Sequence, residues 1–250
     1  STPVFLSASN YPGELIEQIK THVDFVEKIY FAGGEPLIID EFYQILELLD
    51  QNKKHDVKLV YNTNLTKQNL KDKNIFQYWK NFKNISIGAS LDGEYCRGEY
   101  LRSGTHWDDV LKFRKEMLAC RPDIDFSINA TLSIMNCLHV ADFHKNWVNE
   151  GLIGPEEFNL NLLYRPKYLR VDNAPSELKE KIRKKYREHL DWLRPIDKLG
   201  RATESFESVL SYIDINSSFD KSDFWKNVNL FDNYYKTNLL ETFPELVDLQ

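Results

Sequence analysis

Four short polar motifs each end a hydrophobic run in this chain. They read Tyr30-Phe31-Ala32-Gly33-Gly34-Glu35-Pro36, Tyr61-Asn62-Thr63-Asn64, Ser90-Leu91-Asp92-Gly93 with Arg102 beyond it, and Asn129-Ala130-Thr131. Gly33-Gly34 after a strand makes a turn of unconstrained φ and lets a ligand approach the backbone closely. Glu35 then sets a carboxylate beside backbone carbonyls, an acceptor set suited to an ammonium group with its three donors. The amides of Asn62 and Asn64 can pair with ribose hydroxyls, and Ser90 and Asp92 with a further hydroxyl or a carboxylate. A guanidinium at Arg102 can hold a carboxylate through two parallel hydrogen bonds. Each motif alone has a plainer reading: a strand-to-helix turn closed by Pro36, an Asn-rich turn, an Asp-Gly turn, a solvated loop arginine. Asn129 and Thr131 stand out because they interrupt an otherwise apolar strand.

The elements that must position these residues repeat. Apolar runs at 28–31, 57–60, 85–89 and 125–128 suit buried parallel strands. Helical spacing marks 12–27, with Asn10 and Pro12 as start signals, then 40–50, 74–81, 107–119 and 140–150, the last closed by Gly151. A further strand at 157–163 carries Asn159 and Asn161 and ends at Tyr164-Arg165-Pro166. The steps from Gly33 through Asn64, Ser90 and Asn129 to Asn161 are each roughly thirty residues, about one β/α unit. Such repetition predicts an α/β fold, a partial TIM-type (β/α) barrel over 1–168, whose ligands bind at the carboxyl ends of the strands. The loop after Gly93 reads as long and irregular. From 169 to 250 the pattern becomes helical, at 176–193, 202–213 and 219–240, an extension expected to pack on the barrel. The basic run from Lys179 to His189 reads as a solvated helix face.

Composition narrows the function classes. A net charge of -6 argues against nonspecific nucleic-acid binding, which needs excess Lys and Arg to displace phosphate counterions. No apolar run is long enough to span a bilayer. Cys96, Cys120 and Cys137, an odd number at wide spacing, fit a reducing, cytoplasmic compartment better than a disulfide scaffold.

Taken in order, the motifs resemble the radical S-adenosylmethionine (SAM) superfamily over roughly residues 10–165. Gly33-Gly34-Glu35-Pro36 matches its Gly-Gly-Glu-Pro motif, Asn62-Thr63-Asn64 looks like its Thr-Asn-Gly-type strand end, and Ser90-Leu91-Asp92-Gly93 with Arg102 resembles its next segment. The resemblance implies that Glu35 takes the methionyl ammonium of SAM and that Arg102 and Ser90 take its carboxylate. It places Asn64, Asp92 and Asn129 on the ribose or nearby groups. Asn161 and Arg165, at the last strand end, are then substrate-side candidates. It is closest to the branch that carries a twitch domain, whose carboxyl end Thr242-Phe243-Pro244-Glu245-Leu246 also looks like. The implied activity is homolysis of SAM by a reduced [4Fe–4S] cluster to a 5′-deoxyadenosyl radical that abstracts a substrate hydrogen, with a small molecule or a peptide as substrate.

One departure bears on that activity. The family's C-x₃-C-x₂-C cluster loop is not in this sequence, and none of the three cysteines has a near neighbour that would complete a thiolate set. The six histidines are scattered, so no metal site is expected within this chain. The cluster loop, and any twitch module, is expected upstream of Ser1. The alternative is a degenerate barrel without a cluster that serves as a binding or assembly module, with a protein partner. An ordinary β/α enzyme using Asp92 or Glu35 as an acid–base group lacks a second placed partner.

Overall fold

The structure is a computed structural model that describes residues 13–215 and 218–250. The start signals Asn10 and Pro12 lie outside the described residues. The chain is α/β, with a five-stranded sheet in the order β1-β2-β5-β6-β7. It divides into two compact units: residues 1–63, 67–88 and 116–125, and residues 64–66, 89–115 and 126–250.

In the first unit, helix α1 (Glu14–Thr21) precedes β1 (Lys28–Phe31), α2 (Asp40–Gln51) and β2 (Lys58–Thr63). The helix expected over 12–27 stops at Thr21 and gives way to a 3₁₀ turn, Val23–Phe25. The β-branched Thr21, Val23 and Val26 weaken the helix there. β1 and β2 are parallel, with Lys28 opposite Lys58 and Phe31 opposite Tyr61. A small antiparallel hairpin, β3 (Asn69–Leu70) with β4 (Lys73–Asn74), leads into α3 (Ile75–Trp79) and β5 (Asn84–Ala89). The buried face is aromatic: Phe31 stacks on Tyr61 at 4.7 Å, and Tyr61 meets Trp79 edge-on at 5.3 Å. Such pairs stabilise beyond the area they bury. Period-two alternation therefore leaves Tyr30, Val60 and Asn62 on the opposite, more open face.

The second unit begins with α4 (Tyr95–Leu101), a helix inside the stretch that reads as an irregular loop. It carries no apolar periodicity, and Gly98 at its centre disfavours a helix. The glycine is required by packing: a Cβ there would lie 2.7 Å from the Gly93 carbonyl oxygen and 3.0 Å from the Trp107 ring. Next come α5 (Trp107–Cys120), which contributes to both units, then β6 (Asp125–Leu132), α6 (Val140–Asn149) and β7 (Phe158–Leu162). Along β6, Phe126, Ile128, Ala130 and Leu132 are buried, while Ser127, Asn129 and Thr131 are half-buried on the other face. β7 runs parallel to it, with Asn159 opposite Asn129 and Asn161 opposite Thr131.

Four helices complete this unit: α7 (Ser176–Leu193), α8 (Arg201–Tyr212), α9 (Lys221–Tyr235) and α10 (Leu239–Thr242). Ser205 on α8 accepts the Leu160 amide at 2.7 Å, which satisfies a donor of β7. The helix expected over 219–240 is broken at Lys236, which takes φ 58, so α9 and α10 are separate. The basic run on α7 keeps a solvated face at Lys181, Lys184 and Arg187, and other members are buried or ion-paired. Lys179 and His189 are buried, Lys185 pairs with Asp142 at 2.6 Å, and Lys181 and Arg183 pair with Asp248 and Asp214. Buried His189 and His144 form a hydrogen-bonded pair at 3.0 Å, and His144 also reaches the Pro155 carbonyl. Among the described residues, no helix is long and apolar enough to cross a membrane.

Candidate functional site

The Gly-Gly-Glu-Pro turn follows the carboxyl end of β1. Gly33 and Gly34 adopt φ 90 and 54, and a Cβ built on either would find open space. The backbone here can be approached closely, as the sequence predicts. Glu35 caps the 3₁₀ turn Pro36–Ile38, where its Oε1 accepts the Leu37 amide at 3.2 Å. The same oxygen accepts the hydroxyl of Thr63, the last residue of β2, at 2.6 Å. Glu35 thus sits at the carboxyl ends of its unit's strands, half-buried, while Pro36 is buried beside it. Asn62 is exposed and donates to the Tyr30 hydroxyl.

In the second unit, Asn64 is turned inward on its own loop: Oδ1 accepts the Thr66 amide at 3.1 Å and its hydroxyl at 2.6 Å. Ser90 is half-buried just beyond β5. Asp92 is the better-defined group. Its Oδ1 accepts the Thr131 amide at 2.6 Å, and its Oδ2 lies 2.9 Å from Arg102 Nε. Arg102 caps the carboxyl end of α4, so the unforeseen helix delivers the guanidinium to the carboxylate. The arginine side chain stays 30% exposed and the aspartate 13%. The plainer reading of a solvated loop arginine thus gives way to an ion-paired, partly exposed one.

Asp92 and Thr131 stand in the wall of a cavity of about 190 Å³, together with Ser133, Tyr100, Met135 and Phe231. Asp92, Thr131 and Ser133 offer a carboxylate and two hydroxyls, Asn227 and Tyr168 add an amide and a phenol, and the rest is aromatic and aliphatic. Such a lining suits a flat, largely apolar ring system attached to a hydroxyl-bearing group. Phe231 comes from α9, so the helical extension supplies part of this wall. Along the half-buried face of β6, Asn129 accepts from the Asn159 amide at 3.1 Å. Asn161 and Arg165 are exposed at and beyond the end of β7.

Two contributors escape sequence reasoning. Thr63 reads as the middle of a turn tripeptide, yet it anchors Glu35. Asn136, 1% exposed, ties the ends of two strands together. Its amide donates to the Asp92 carbonyl at 2.8 Å and the Thr131 carbonyl at 3.0 Å, and its oxygen accepts the Ser133 amide at 2.8 Å. The available signal is an amide among Ile134, Met135 and Cys137, where burial demands full hydrogen bonding.

A [4Fe–4S] cluster does not fit the described residues. Among them, no three His, Cys, Asp or Glu side chains come together as metal ligands. Cys96 and Cys120 are exposed, whereas Cys137 is buried and donates to the Ile134 carbonyl. Burial pushes the Cys137 thiol far above its usual range, which disfavours the thiolate a cluster needs.

No protein-family profile and no curated protein sequence matches this chain. Solved structures do share its fold. Histidine-tagged anSMEcpe with bound AdoMet superposes over 80% of this chain and 54% of its own, at 16% identity and a TM-score of 0.51. Native anSMEcpe with bound AdoMet covers 77% of this chain and 54% of its own, at 18% identity and a TM-score of 0.50. The chain spans about half the length of these neighbours, and anSMEcpe is a sulfatase-maturating radical SAM enzyme. At such identities the likeness is one of fold: the α/β architecture is that of the radical SAM partial barrels.

Proposed function

We propose that this chain is the SAM-binding core of a radical SAM enzyme. The observation that carries the reading is Asp92, fixed by the Thr131 amide and Arg102 in the wall of a cavity that suits a nucleoside. The open Gly33-Gly34 backbone beside Glu35 supports it independently. In this reading the ammonium of SAM is taken at Gly33, Gly34 and Glu35, where the glutamate carboxylate and the turn carbonyls accept its hydrogen bonds. Arg102 and Ser90 take the carboxylate, and Asp92, Asn64 and Asn129 take the ribose and its surroundings. Bound SAM supplies the carbon–sulfur bond from which radical chemistry starts. The chain's residues orient it and exclude water. The cluster's ligands must come from outside the described residues. The twitch-type branch rests on the resemblance of Thr242-Phe243-Pro244-Glu245-Leu246, with Asn161 and Arg165 facing a small-molecule or peptide substrate.

Calorimetric titration with SAM tests this reading. The wild-type chain binds one SAM, and Asp92→Asn, which keeps the acceptor for Thr131 but loses the charge, weakens it about 10-fold or more. Equal affinity in the two proteins, or no binding by the wild type at millimolar SAM, contradicts it.

A further inference from the structure

The turn that follows Asp92 is held from an unexpected direction. Gly93 packs so tightly on His139 that a Cβ would lie 3.2 Å from the ring, and the Glu94 amide lies 3.2 Å from His139 Nε2. The other ring nitrogen, Nδ1, lies 2.7 Å from Arg97 Nη1. The Glu94 amide and the Arg97 guanidinium are both donors and a neutral imidazole has one acceptor nitrogen, so the ring accepts from one of them at a time and the other is held against it by packing. Burial first, and then the charge of Arg97, keep His139 neutral.

Arg97 is in turn held by the carboxyl-terminal segment. Its Nε donates to the Thr242 carbonyl at 3.1 Å and its Nη2 to Glu245 at 2.9 Å, and its guanidinium lies 5.4 Å from the centre of the Phe243 ring. Both partners of the ion pair are 24% exposed, so solvent screens it less than a fully exposed pair. Phe243 also meets Tyr100 edge-on at 5.8 Å, and Tyr100 lines the Asp92 cavity. One chain of contacts therefore runs from residues 242–245 through Arg97 and His139 to the Gly93-Glu94 turn.

We infer that residues 242–245 are a latch that positions Asp92, with Arg97 and Glu245 as positioning residues for the SAM site. The inference rests on the SAM reading for its ligand, but the latch itself is a statement about the turn. Without the Glu245 anchor, the Arg97 guanidinium swings toward solvent and the ring loses the close neighbour that packs against its Nδ1 side. The Gly93-Glu94 turn then loosens, and Asp92 loses its fixed orientation.

Hydrogen exchange by mass spectrometry and SAM titration on the full chain test this together. Glu245→Gln and Arg97→Gln are compared with Asp248→Asn, which removes the exposed ion pair to Lys181 further along the same segment. Urea midpoints show that each variant is folded. The latch predicts at least 5-fold faster exchange in the 93–95 segment for both test variants, with a 5- to 10-fold loss of SAM affinity, and neither change in Asp248→Asn. Arg97→Lys recovers part of both. Faster exchange with no SAM binding by any protein supports the latch and rejects the SAM reading. Unchanged exchange at 93–95 in Glu245→Gln overturns the latch, whatever the affinity.

Discussion

Glu94 gives the sharpest quantitative expectation. Its side chain is almost fully buried, its Oε1 accepts the Asn146 amide at 2.7 Å, and burial pushes its carboxyl from 4.5 up to about 7. Asn146 and Arg97 favour the carboxylate, while Glu150 and Asp142 oppose it. A carboxyl raised in the folded state binds more protons there than in the unfolded chain, so stability falls as pH climbs from 4.5 towards 7 and then levels off. At about 1.36 kcal/mol per pKa unit, ionisation of Glu94 costs the fold on the order of 3 kcal/mol at pH 8 and about 1 kcal/mol at pH 5. Glu94→Gln keeps the acceptor for Asn146 and cannot ionise. Its stability relative to the wild type should therefore increase by about 2 kcal/mol between pH 5 and pH 8. The comparison removes the contribution of His139, whose pKa is lowered to about 3 and which favours the fold as pH rises through the range below 6.5. Urea unfolding of both proteins at the two pH values measures the quantity. A stability difference that does not change with pH refutes the argument.

Three further outcomes follow from the same geometry. Arg102→Ala, in a form of the protein that carries a cluster, should weaken SAM binding by roughly 1.5–3 kcal/mol, the scale of a charge-assisted hydrogen bond. Lys at that position should restore only part, lacking the planar fork; unchanged affinity in both variants assigns the carboxylate to another residue. Asn136→Ala strips partners from the Ser133 amide and two carbonyls and should cost on the order of 3 kcal/mol. Calorimetry should then show Tm lower by roughly 6–12 °C, and a drop within a degree or two means water replaces the amide. Thr63→Val conserves shape and deletes the donor to Glu35. Urea unfolding should show a loss of roughly 1.5–3 kcal/mol, and no loss means that the hydroxyl contributes nothing net.

The strands β1, β2, β5, β6 and β7 are legible in the sequence because each is a short apolar run closed by a turn signal. The alternation at Asn129 and Thr131 announces a half-open face, which β6 has. What stays hidden depends on partners far along the chain. α4 owes its glycine to Trp107 and to the Gly93 carbonyl, not to any helical pattern of its own. Thr63 and Asn136 gain their roles from Glu35 and Asp92, and no spacing rule connects those pairs. Arg102 is found by its type and position, but its pairing with Asp92 follows from the helix that ends beside it. The basic run on α7 is a solvated face in part, as read, but its pairing with Asp142, Asp214 and Asp248 is hidden because those residues lie on other elements.

Whether the chain binds SAM through the motifs at its strand ends is decided by a crystal structure at saturating SAM. The ribose should lie against Asp92 with the adenine in the cavity lined by Tyr100 and Phe231, and the ammonium at Gly33, Gly34 and Glu35. SAM found elsewhere, or those residues left without ligand contacts at saturation, contradicts it.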